Sequence, residues 1–362
     1  MTSQKGTMKI DFALGSYGVE FRLSDIGLRI KKTMQDAGSS IRLANVKNEN
    51  INAASFKKEK LAKTGHEYSI IQMADMCYIG RTIACQDIDA YAKRDTAKSR
   101  DMIIGMMPPK LVQMMINIAL GGQNISNMTN PTSIYDPFCG LGTTLIEAAN
   151  MGICRVYGSD ISPEMVRSTE SSLAEYIAEE RIWQERIMTA GGTPNKDFRE
   201  FESAVWQMDA RDIGSISTSK FPTLHHSNIH IVSEGYLGEI MRPHEITLDR
   251  AKEERRKLSR MYDEFFAGLS KIVHGNSQKQ ASPTFQHSSI PTLQIVMTFP
   301  FWNLNGTYSY FIEIYDIIEK YGFEVVSLLP WEMKLNTMKG SLLYRRENQT
   351  VGREIIKIVP KK

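Results

Sequence analysis

Asp136-Pro137-Phe138-Cys139-Gly140-Leu141-Gly142-Thr143-Thr144 follows a short apolar run, Ser133 to Tyr135, and leads into apolar positions at helical spacing. That pattern reads as a strand, a glycine turn and a helix. Glycines in such a turn let a ligand approach backbone NH groups closely. The spacing is not the six-position glycine signature of nicotinamide enzymes, and no Lys-Ser or Lys-Thr pair completes a P-loop. An acid at the strand end suits a cationic or amine-bearing ligand instead.

Outward from this turn, strand and helix alternate. Pro108-Pro109 opens a helix over Lys110 to Leu120, and Thr143 to Met151 forms the helix after the turn. A strand from Arg155 ends at Asp160, and Pro163, at a first helical position, starts a long helix running past Glu180. Strands over Ala204 to Met208, Asn228 to Val232 and Thr292 to Thr298 follow, with a charged helix over Thr247 to Val273 between the last two. His274 to Pro291 is a polar loop, Tyr308 to Tyr321 a helix, Phe323 to Leu328 a strand, and Leu342 to Val359 a closing hairpin. Such alternation predicts an α/β fold with a doubly wound, parallel-rich sheet and an antiparallel pair at its C-terminal edge.

Residues before Pro108 read differently. A strand over Phe12 to Tyr17, a helix over Ser24 to Ala37, a strand over Ser40 to Val46, a basic helix over Ala53 to Lys63 and a hairpin over Tyr68 to Ile88 suit a small α+β domain. The expected division is 1–88 for that domain, 89–107 for a basic linker carrying Lys93, Arg94, Lys98 and Arg100, and 108–362 for the alternating domain.

Composition supports two folded domains. The chain has 362 residues, 42% hydrophobic and 23% charged, which excludes global disorder and a fibrous protein. The net charge of +3 hides an uneven distribution: residues 1–110 hold 18 Lys and Arg against 12 Asp and Glu, and the remainder is slightly acidic. A basic first third suggests a polyanion-binding module. Four cysteines at 77, 85, 139 and 154 form neither a disulfide framework nor a close-spaced zinc pair, so reduced thiols and no metal are expected. The first residues lack an apolar signal core, and Pro108-Pro109 interrupts the most apolar window. The expectation is a cytoplasmic protein.

Two further acids close strands. Asp160 lies where an acid takes the ribose hydroxyls of a nucleoside cofactor, although a lone acid there more often caps the next helix. Asp209, in Gln207-Met208-Asp209-Ala210, offers an acceptor for an adenine amino group. Three acids at three successive strand ends share one sheet edge.

These motifs resemble class I S-adenosylmethionine-dependent amino-methyltransferases. Gly105-Met106-Met107-Pro108-Pro109-Lys110-Leu111 narrows the likeness to the THUMP-associated tRNA guanosine-N2 methyltransferases, as do Tyr78-Ile79-Gly80-Arg81-Thr82, Tyr91-Ala92-Lys93-Arg94 and Tyr344-Arg345-Arg346-Glu347-Asn348-Gln349. The resemblance spans roughly residues 78–360 and is specific around 105–165. It implies a Rossmann-like methyltransferase sheet behind a reduced THUMP-like RNA-binding domain, with S-adenosyl-L-methionine as cofactor and tRNA as partner. Asp136, Phe138, Gly140, Gly142 and Thr143 would surround the methionine end of the cofactor. Asp160 would take its ribose, Ile161 would pack on adenine, Asp209 and Ala210 would meet the adenine amine, and Pro108 and Lys110 would flank the pocket.

The acceptor motif departs from the family. Amino-methyltransferases place Asp, Asn or Ser before Pro-Pro and an aromatic at the end of the fourth strand. Here the chain reads Ser233-Glu234-Gly235-Tyr236. An exocyclic amine has its lone pair delocalised into the ring, so its site must accept N–H hydrogen bonds and stack the base. Ser233 and Glu234 are the expected acceptors and Tyr236 the stacking ring. Phe299-Pro300-Phe301-Trp302, expected to end the fifth strand, is core or a wall for the base. Guanosine N2 in tRNA is the expected target. The alternatives are a DNA cytosine-N4 or adenine-N6 enzyme, and a degenerate RNA-binding pseudo-methyltransferase.

Overall fold

The computed structural model describes residues 10–19, 22–44, 50–61, 65–73, 75–96, 107–122, 132–193, 201–216, 228–275, 293–329, 338–347 and 349–361. They fall into two compact units, Met1–Arg94 and Asp95–Lys362.

In the first unit the elements run β1 (Ile10–Tyr17), α1 (Leu23–Asp36), β2 (Ile41–Leu43), α2 (Ala53–Lys58), β3 (Gly65–Met73), β4 (Met76–Arg81) and most of α3 (Ile88–Thr96), within which the division falls. Its sheet has the order β2-β1-β3-β4, with β1 parallel to both neighbours and β3 antiparallel to β4. Period-two alternation in β1 explains the two small cores. Phe12 and Leu14 pack with Leu23, Ile41 and Leu43, whereas Ala13 packs with Phe56 and Leu61. The basic helix is shorter than expected. Asn52 caps it by accepting from the Ser55 backbone NH at 2.9 Å, and Lys60 leaves it with φ +53°. Lys57 is paired with Asp89, so part of its charge is neutralised. Where a linker was expected, α3 occupies 88–96; Lys63, Lys98 and Arg100 lie outside the described residues.

The second unit runs α4 (Pro109–Leu120), β5 (Thr132–Asp136), α5 (Thr143–Asn150), β6 (Arg155–Asp160), α6 (Pro163–Thr189), β7 (Glu202–Gln207), β8 (Asn228–Glu234), α7 (Leu248–Gly275), β9 (Gln294–Leu304), β10 (Thr307–Tyr310), α8 (Glu313–Lys320), β11 (Phe323–Val326), β12 (Leu342–Tyr344) and β13 (Val351–Pro360). The sheet order is β11-β13-β9-β8-β5-β6-β7. Strands β5 to β9 pair in parallel, and β13 is inserted antiparallel between β9 and β11. Neighbouring residues of each central strand face opposite layers. Ile134, Val156, Val232 and Val296 pack under α4, α5 and α6, while Tyr135, Tyr157, Ile231 and Ile295 pack against α7 and α8. This is the doubly wound, Rossmann-like arrangement. The chain winds outward from β5 to β7 and returns to the other side of β5 at β8. The crevice beyond the carboxyl ends of β5 and β8 is therefore the switch point at which such sheets bind ligands.

Around β9 one expectation fails and one pair of alternatives resolves. The helix expected from Tyr308 begins only at Glu313, because Asn305 and Gly306 adopt φ +51° and +97° and turn the chain into the β9–β10 hairpin. Asn-Gly is the strongest short hairpin signal. Phe299, Phe301 and Trp302 lie within β9 and are fully or almost fully buried, so they are core and form no wall at a strand end. Nearly all of the polar loop after α7 lies outside the described residues.

Candidate active site

The glycine turn is built by interlocking contacts at the carboxyl ends of β5 and β6. Asp136, 2% exposed, accepts from the Phe138 backbone NH at 3.0 Å and from the Ser233 hydroxyl at 2.6 Å. Burial pushes its carboxyl up to about 6, against hydrogen bonds from Ser233, Thr144 and Phe138 that hold it down. Gly142 has φ +78°, and a Cβ there would come within 2.7 Å of Thr169 Cγ2. Thr169 donates to the Gly140 carbonyl at 2.6 Å, fixing the turn from α6. Only glycine satisfies both the handedness and the close approach at position 142.

Gly140 is the open part of the turn. Its φ is +51°, and a Cβ would meet nothing closer than the Phe138 carbonyl at 4.0 Å. Its NH donates to Asp160 Oδ2 at 2.9 Å, and Asp160 Oδ1 accepts from the Ser162 NH at 2.9 Å. A carboxylate has about four acceptor sites. Two of them order the turn and the start of α6, and about two more can accept from other donors. Ser162 caps α6 by accepting from the Met165 NH at 3.4 Å. Ile161 is 62% exposed, an apolar surface directly after the acid.

The remaining expected residues are placed as follows. Thr143 and Ala210 are buried, and Phe138 is half-buried with its ring 5.7 Å from that of Phe265. Asp209 is half-buried and caps the 3-10 turn Ala210–Ser215 by accepting from the Arg211 NH. The Arg211 guanidinium also grips both its oxygens, holding the carboxyl below its ordinary range. Pro108 caps α4, and Lys110 lies exposed on its first turn. That helix is joined to α5 by Gln113 Nε2 donating to Glu147 Oε2 at 2.6 Å.

The acceptor loop has an arrangement that local sequence does not announce. Ser233 is fully buried, and its hydroxyl is engaged as a donor to Asp136. Glu234 forms an ion pair with Arg353 of β13, whose side chain is 4% exposed. Burial raises the Glu234 carboxyl above its ordinary range, and Arg353 opposes that shift. Gly235 sits against Tyr262 of α7: a Cβ would fall 2.2 Å from its hydroxyl oxygen and 2.9 Å from the Thr298 carbonyl. The Tyr262 hydroxyl donates to the Tyr236 carbonyl at 3.0 Å. The Tyr236 ring itself is half exposed. Tyr262 and Arg353 thus hold the loop, which lacks the expected prolines. Tyr262 had a legible signal, since Ala251, Leu258, Tyr262, Phe265 and Leu269 form a buried stripe at helical spacing on a helix whose charges suggested an outer face. Nothing in the local sequence singles out Arg353.

Among the described residues no group of three or more His, Cys, Asp or Glu is placed to hold a metal ion, and no helix is long and apolar enough to cross a membrane.

A nine-strand sheet whose seven-strand path has this order, one strand reversed, with a glycine turn and acids closing its first strands, defines a class I methyltransferase-type fold. Comparison with known proteins agrees. Residues 112–197 match the family described as UPF0020, RMKL-like, methyltransferase domain. The tRNA (guanine(10)-N2)-dimethyltransferase of Methanothermobacter thermautotrophicus is 43% identical over 72 residues, 20% of this chain and 19% of that protein. Its counterpart in Methanocaldococcus jannaschii is 28% identical over 119 residues, 33% of this chain and 32% of that protein. The matches thus span a fifth to a third of these relatives' length. Among solved structures, TrmN from Thermus thermophilus is 11% identical with a TM-score of 0.41, covering 98% of this chain and 73% of that one.

Proposed function

We propose that the protein transfers a methyl group from S-adenosylmethionine to an exocyclic amino group of a nucleic-acid base, guanosine N2 in tRNA. The observation that carries this reading is the juxtaposition, at one switch point, of the Asp136–Gly140–Asp160 turn and the Tyr236 loop. The donor set suits the cofactor. An open cradle over Gly140 admits its methionine end, Asp160 keeps acceptors for ribose, Ile161 offers an apolar face to adenine, and buried Asp136 offers negative charge to a cationic sulfonium.

When bound, the cofactor supplies an electrophilic methyl carbon. Transfer from it needs alignment more than acid–base chemistry. The half-exposed Tyr236 ring would stack on a base turned out of its helix. Ser233 is fully buried and its hydroxyl donates to Asp136 while keeping its acceptor lone pairs; the Glu234 main-chain carbonyl and carboxylate, the latter oriented by Arg353, are the further N–H acceptors. The partial spans shared with the archaeal guanosine-N2 enzymes support tRNA as the substrate.

Incubation with tritiated cofactor and, in separate reactions, bulk RNA and DNA tests this. Label should enter RNA with the wild-type chain and be lost with Tyr236→Ala and Asp160→Ala. Label confined to DNA would move the protein to the cytosine-N4 or adenine-N6 class. Cofactor binding without transfer to any nucleic acid would make it a binding protein.

A further inference from the structure

Arg211 stands between two carboxylates. Its Nε lies 3.0 Å from both Oδ1 and Oδ2 of Asp209, and its Nη2 lies 2.6 Å from Oδ2. Its Nη1 is 3.7 Å from Oε2 of Glu264, on the exposed side of α7. Asp209 is the group expected to accept from the adenine amine of the cofactor, and the guanidinium covers both of its oxygens. A guanidinium has five donors and no acceptor, so it competes with an amine for the same lone pairs. Glu264 is already within ion-pair distance on the other side of the guanidinium, so leaving Asp209 would not leave the cation unpaired.

We infer that Arg211 is a switch that shuttles between Asp209 and Glu264, blocking the adenine subsite in one position and opening it in the other, and so sets cofactor affinity. This rests on Asp209 belonging to the adenine subsite of the proposed methyltransferase. The group touches no reacting atom and is a positioning residue. The Asp209–Arg211 pair is about half exposed on the arginine side, which places the competition in the range of surface ion pairs.

Titration calorimetry with adenosine and with S-adenosylhomocysteine, on the full chain, reads the switch directly. Removing the competitor by Arg211→Gln should tighten adenosine binding by about 1.5- to 5-fold. Removing the resting place by Glu264→Gln should weaken it, by up to about twofold, because the arginine then has Asp209 alone. Wild-type affinity for neutral adenosine should rise between about 0.05 and 0.5 M salt as the ion pair is screened, and that of Arg211→Gln should not. Weaker binding by Arg211→Gln would show that the arginine holds Asp209 in its productive position and overturn the switch. Unchanged binding by both variants would overturn it equally. If the wild type binds neither ligand, the cofactor assignment itself falls; binding without the opposed responses removes only the switch.

Discussion

Replacing Ser233 with alanine removes a hydroxyl that donates at 2.6 Å to a carboxylate 2% exposed. A hydrogen bond to a charged group contributes about 1.5–3 kcal/mol, and about 1.4 kcal/mol corresponds to one pH unit of titration. Asp136, already pushed up to about 6 by burial, should therefore titrate about one to two pH units higher in the variant. The sign follows from linkage. Its folded pKa exceeds its ordinary value of 3.8, so protonation stabilises the fold fully below about pH 4, and this contribution is lost as pH rises through 6. In the wild type the charged form costs about 3 kcal/mol at pH 8 relative to pH 4. In Ser233→Ala the loss of stability should be about 1.5–3 kcal/mol at pH 8, and about 0.5–1.5 kcal/mol at pH 4.5, where the carboxyl is largely neutral in both proteins. Urea denaturation of both chains at the two pH values measures the difference. A loss equal at both pH values, or larger at low pH, would refute a charge-bearing Ser233–Asp136 contact.

Other outcomes follow from the same geometry. Glu234→Gln should cost about 3 kcal/mol by stranding the buried Arg353 guanidinium, and the double variant with Arg353→Met should recover most of it in a urea double-mutant cycle. Gly142→Ala should lower stability by about 2 kcal/mol, because φ is +78° and Thr169 lies 2.7 Å from the new Cβ. Gly140→Ala should cost less in denaturation, because its Cβ enters open space, yet weaken S-adenosylhomocysteine binding at least tenfold in calorimetry. Tyr262→Phe, which frees the Tyr236 carbonyl, should lower the methyl-transfer rate with little change in cofactor affinity.

The strand ends were legible because a glycine turn and its acid are adjacent in sequence. Asp136, Gly140 and Asp160 needed only the assumption of parallel neighbouring strands, and the β5–β6 register supplies it. The hairpin at Asn305-Gly306 carried an equally local signal, masked by apolar spacing in Tyr308 to Tyr321 that mimics a helix. The acceptor loop was different. Its partners sit 97 residues away at Asp136 for Ser233, 119 away at Arg353 for Glu234 and 26 away at Tyr262 for Tyr236. Only the folded sheet brings these together, and nothing local announces that Ser233 donates to a buried acid. The Arg211–Glu264 proximity likewise depends on how α7 packs over the 3-10 turn after Asp209.

Nucleoside mass spectrometry of unmodified tRNA treated with the full chain and S-adenosylmethionine tests the central claim most directly. A methyl group on the exocyclic amine of guanosine, absent when Tyr236→Ala replaces the wild type, is the expected result. Methylation of a ring nitrogen or of another base, or unmodified RNA despite bound cofactor, would contradict it.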